Sequence, residues 1–166
     1  MKPSLRHILT HCMKPEMIQY AQENPHYKQE MLDLAVSDET PCAWRAAWLL
    51  CDVMSVNDPE AKKYVPQIFF RMKNAPDGHI RELLKVLKKL DLTTEQEWQL
   101  YGICRDLWQD IQKQGSLRWH ALQQIIHMTK TYPELKDEFD YLTEPRFLDS
   151  LSHGARKSAL GLLQKM

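Results

Sequence analysis

Apolar residues recur along the chain at helical spacing, in segments separated by proline and short polar turns. The clearest is His79 to Leu90, where Ile80, Leu83, Leu84, Leu87 and Leu90 share one side and Arg81, Lys85, Lys88 and Lys89 the other. Before it, short helices are predicted over Leu5–Cys12, over Glu16–Gln22 after Pro15, and over His26–Val36 after Asn24-Pro25. Thr40-Pro41 supplies a cap and a first-turn proline for a helix reaching Met54, and Asp58-Pro59 opens another that runs to Lys73. Pro66 within that last segment must lie near a first turn or kink the helix.

After the break at Asn74 to Gly78, Thr94-x-x-Glu97 reads as a capping box opening a helix that buries Trp98, Tyr101, Cys104, Leu107, Trp108 and Ile111 and ends at Gly115. Ser116 caps the next helix, to Thr129, and Tyr132-Pro133 begins one to Leu142 with Leu135, Phe139 and Leu142 inward. The stretch from Arg146 to the end forms one helix or two, since Gly154 interrupts it, and its second half buries Ala155, Ala159, Leu162 and Leu163. Five glycines in the whole chain, nine prolines concentrated between periodic segments and almost no β-branched runs point to helices joined by short turns, an all-α chain.

The pattern also repeats at longer range. Trp44-Arg45, Ile80-Arg81, Leu117-Arg118 and Ala155-Arg156 each place an arginine after an apolar or small residue, separated by 36, 37 and 38 positions with one other clear helix in each interval. Periods of this length with two helices per unit point to an α-solenoid. The stretches WRAAWLL and YVPQIFFRMKNAPDGHIRELLKVL resemble HEAT-like and armadillo-like repeats, whose second helix typically begins with an apolar residue followed by arginine. That resemblance implies a right-handed α-solenoid of about four helical hairpins over residues 26–166, with residues 1–25 forming N-terminal capping helices of the same single domain. The family often pairs the arginine with an acidic residue about six positions earlier; Glu39 fits this before Arg45, whereas Ala75, Gln112 and Ser150 do not fit before the others.

Composition narrows the function classes. Basic and acidic residues number 22 each, so bulk charge does not favour nucleic acid or an anionic membrane. No stretch approaches the ~18 apolar residues of a membrane span, and no secretory signal is evident, which places the expectation in the cytoplasm. Cys12, Cys42, Cys51 and Cys104 contain no C-x-x-C pair and are read as free thiols.

Candidate chemistry is sparse. His7 and His11 are four apart, as are some metal ligands, but Cys12 points about 100° away on the same helix and leaves no third ligand. His120 and His127 share a face without a carboxylate partner, and no phosphate loop or nucleophile elbow is present, so neither metal nor cofactor is expected. Trp48 and Asp52, also four apart, look like the tryptophan and aspartate that hold the lesion in alkylpurine-type DNA glycosylases, themselves built from HEAT-like helices; that resemblance supplies the alternative reading. The preferred reading is non-enzymatic. A concave helical face binds a protein or peptide through Trp44, Arg45, Asp52, Arg81, Lys85, Arg118 and Trp119, since Trp and Arg are enriched at interface hot spots. The last helix, Ala159 to Met166, has no following repeat to cover it, which adds an expected contact with a second copy.

Overall fold

The computed structural model describes residues 1–166 and is all-helical, with twelve α-helices and two 3-10 turns. The chain forms two compact units, residues 1–91 and 92–166. The first contains α1 (Leu5–His11), α2 (Lys14–Glu23), α3 (Lys28–Ala35), α4 (Cys42–Val53), α5 (Pro59–Lys62), α6 (Val65–Met72) and α7 (Asp77–Leu87), and the second α8 (Thr94–Gln109), α9 (Gly115–Thr131), α10 (Lys136–Leu142), α11 (Pro145–Asp149) and α12 (His153–Gln164). The recurring element is the helical hairpin: α3 packs on α4, α6 on α7, and α8 on α9.

In the first unit α4 is central, with α1, α2, α3 and α7 all packed on it. Its sequence permits this crowding because Ala43, Ala46 and Ala47 let neighbouring helices approach, while Leu49 and Leu50 fill the space between them. Asp58 caps α5 with Oδ1 accepting from the N–H groups of Glu60 and Ala61, and its Oδ2 takes a hydrogen bond from Lys28 Nζ at 3.0 Å. Burial pulls this carboxyl upward, but the Lys28 ammonium and the two backbone donors outweigh it and hold it below the usual carboxylate range.

Several boundaries differ from the pattern reading, each for a local reason. The segment from Pro59 is two helices, and Pro66 lies in the first turn of the second, where its missing N–H costs nothing. The capping box of α8 is Thr93 with Gln96: Thr93 Oγ1 accepts from the Gln96 N–H and Gln96 Oε1 accepts from the Thr93 N–H. Helix α8 stops at Gln109, so Ile111 lies beyond it and is 53% exposed; Trp98, at 37%, is also not a core residue. Gly115 opens α9 instead of closing α8. A Cβ there would stand 3.0 Å from the Cβ of Ala155, so glycine allows the start of α9 to touch α12. Among the residues of α12 only Ala159 is buried, and Leu160 is exposed.

His79 is a core residue that the polar pattern does not flag. It is buried, and its Nε2 lies 2.7 Å from the carbonyl oxygen of Ala35, to which it donates. Burial lowers its pKa below 6.5, and the bond to Ala35 only partly offsets this. A base with a depressed folded pKa contributes stability that is full above its unfolded pKa and is lost as pH falls through the folded value. Urea midpoints are therefore expected to fall below about pH 6.5, with His79 supplying at most ~1.4 kcal/mol per pH unit. The His79→Gln variant should show a shallower decline; superimposable pH profiles would contradict this assignment.

Candidate docking face on the central helix

The outward side of α4 carries Trp44, Trp48 and Asp52 at successive four-residue steps, so all three project the same way. The two tryptophans are half-buried, with ring centroids 6.0 Å apart and planes tilted by 40°. Lys14 reaches across from α2: its Nζ is 2.7 Å from Asp52 Oδ2 and 4.2 Å from the centre of the Trp48 ring.

Helix α7, also packed on α4, carries Arg81, Glu82 and Lys85. Glu82 is the unusual member, a carboxylate with only 3% of its side chain exposed. It accepts from Arg81 Nε at 3.1 Å and Lys85 Nζ at 2.6 Å, so its burial is compensated on both oxygens. Cys51 faces α7, with its Sγ 3.2 Å from the Ala47 carbonyl oxygen and 3.6 Å from that of Glu82. Burial pushes that thiol up to about 12, which keeps it protonated and unreactive. Lys89 closes the row by donating to the carbonyls of Cys51 and Met54 at the end of α4, where a cation complements the helix dipole.

The remaining residues selected from the sequence have other duties. Arg45 donates through Nη1 to the Leu9 carbonyl at 2.7 Å, near the end of α1, with its guanidinium 5.2 Å from the centre of the Trp44 ring. Glu39 is not its partner but pairs with Arg6 at 2.6 Å. Arg118, in the second unit, is 1% exposed and beyond the reach of a partner. Its Nε donates to the Trp108 carbonyl, Nη1 to Ser150 Oγ and Nη2 to the Phe147 carbonyl, all within 2.9 Å, and its guanidinium lies over the Trp108 ring at 4.7 Å. In α4 and α9 the recurring arginine thus binds carbonyls of neighbouring helices, whereas Arg81 pairs with Glu82 and Arg156 with Asp149. Trp119, also in the second unit, is half-buried and borders an open pocket of about 490 Å³ with Ser116, His120, Ser152, Gly154 and Ser158.

Sequence reasoning missed Lys14 and Glu82 as members of this face, and Trp48 was not in the predicted binding set because it falls at the repeat's apolar core position. Glu82 carried a signal, since Arg81 and Lys85 flank it at neighbouring and i+3 positions. Lys14 carried only a faint one: it is the first residue of α2, where a cation opposes the helix dipole and needs a partner elsewhere.

Helical hairpins recurring along the chain, α3 with α4, α6 with α7 and α8 with α9, define a helical repeat protein. The family model for the HEAT repeat domain matches residues 1–166, and the chain belongs to that family. Neither a curated protein nor a solved structure matches it. No helix is long and apolar enough to cross a membrane.

Proposed function

We propose that the protein is a non-enzymatic binding module that docks a peptide segment of a partner protein on the outward face of α4. The observation that carries this reading is the pair of half-buried tryptophans, Trp44 and Trp48, set side by side on α4 with the Lys14–Asp52 ion pair at one end. Such a surface offers a rigid apolar centre with a polar rim, the usual anatomy of a hot spot. HEAT repeats commonly mediate protein interactions, which agrees with this use of the fold. The ion pair between Asp52 and Lys14 favours binding over base excision, because a carboxylate already neutralised by an ammonium is a poorer electrostatic partner for a reacting base.

A random dodecapeptide library selected on the whole protein supplies ligands for the test. Trp48→Ala is expected to weaken a selected peptide by about 2 kcal/mol, roughly thirtyfold, and Trp44→Ala by a comparable amount. Trp119→Ala should leave affinity unchanged. Selected peptides whose affinity is indifferent to both Trp44 and Trp48 would overturn the proposal.

A further inference from the structure

The ammonium of Lys14 is held by two groups of α4 at once, the Asp52 carboxylate at 2.7 Å and the Trp48 ring at 4.2 Å. A carboxylate beside an aromatic face is a complete receptor for an organic cation, since one neutralises the charge and the other meets its apolar shell. We propose that Trp48 and Asp52 form a seat for a lysine or arginine side chain of the docked partner, and that Lys14 is an internal occupant displaced when that side chain enters. This rests on the reading of the α4 face as the docking surface.

Three features separate Lys14 from the other cations of this face. Arg81 and Lys85 are committed to the buried Glu82, and Lys89 to the carbonyls of Cys51 and Met54, so none of them is exchangeable without exposing a buried group. Lys14 is about as exposed as Arg81 and Lys85, but its carboxylate is more so: Asp52 is 37% exposed where Glu82 is 3%, so the Lys14–Asp52 pair is screened by water and can open at little cost. Lys14 also stands at the first position of α2, where its own helix disfavours a cation. The start of that helix is fixed without it, because the Met13 N–H donates to Glu16 Oε2 at 2.8 Å. The flexible four-carbon stem of Lys14 can therefore swing out while α2 stays in place.

The test uses the same dodecapeptide library on the full chain and on its Lys14→Ala and Asp52→Asn variants. The expected result is a consensus with lysine or arginine at one fixed position. Its peptide should bind Lys14→Ala about tenfold more tightly than the unmodified protein and Asp52→Asn about tenfold more weakly. Replacing the basic residue by norleucine should abolish both differences. If the norleucine peptide gains equally from Lys14→Ala, the lysine merely covers the tryptophan and the cation seat is overturned. If selected peptides depend on Trp44 and Trp48 but carry no basic position, the seat is overturned and the docking reading stands. If no peptide is selected, both fall together.

Discussion

Arg118→Ala is expected to destabilise the second unit by about 3–5 kcal/mol, the largest effect of any single truncation considered for this chain. The residue is a fully buried cation, and its hydrogen-bond partners are two carbonyls and a serine hydroxyl, none of them a carboxylate. What balances its charge is the geometry of those acceptors. Trp108 contributes a carbonyl from the last turn of α8, where helix dipoles concentrate negative potential, and the Trp108 ring adds its face at 4.7 Å. Burial lowers the guanidinium pKa, with Asp110 opposing, but an arginine starts so high that it stays charged.

Truncation would leave the Trp108 and Phe147 carbonyls without this donor and open a void beside the indole, so desolvation and cavity costs add. Arg118→Lys should recover only part of the loss, because one ammonium cannot span three acceptors. Urea unfolding followed through the tryptophan fluorescence of the unit measures both variants. A loss below about 1 kcal/mol for Arg118→Ala would show that the buried network contributes little.

Ala46→Leu is expected to cost about 3 kcal/mol in the first unit, by overpacking. Ala46 is fully buried on α4, the helix on which α1, α2, α3 and α7 all pack. Three additional carbons have no void to occupy, so neighbouring helices must shift or the side chain must leave its rotamer well. The same change should reach function: α4 carries Trp44, Trp48 and Asp52 at its surface, and displacement of α2 would separate Lys14 from them. A urea midpoint equal to that of the unmodified protein would contradict the packing described for α4.

These two residues illustrate what the sequence made legible. Helix existence and the all-α class followed from apolar periodicity, because a helix must bury a stripe whatever its neighbours, and the repeated hairpin from the apolar-Arg pairs at intervals of 36, 37 and 38 residues. The recurring arginine was visible too, but its role was not: the same residue type donates to carbonyls in α4 and α9 and pairs with carboxylates in α7 and α12. That choice depends on which groups the neighbouring hairpin presents, which spacing within one helix does not encode. Arg118 therefore looked like a surface anchor and is a core residue. Helix ends were the weakest element, as at α8, where Thr93 and Thr94 both offered a cap and only the contact of Gln96 with Thr93 decided between them.

Half of the candidate face was legible for the same reason. Trp44 and Asp52 lie on one helix at a spacing that gives them a shared direction, whereas Trp48 between them reads as the apolar core position of the repeat. Lys14 comes from another helix, and its approach to Asp52 is a tertiary fact.

The most direct measurement is the response of the five tryptophan indole N–H resonances to a selected peptide, assigned by single Trp→Phe substitutions. Docking on α4 predicts that the Trp44 and Trp48 signals move on titration while those of Trp98, Trp108 and Trp119 stay in place. Saturation binding with unmoved Trp44 and Trp48 signals would place the docking surface elsewhere and contradict the central claim.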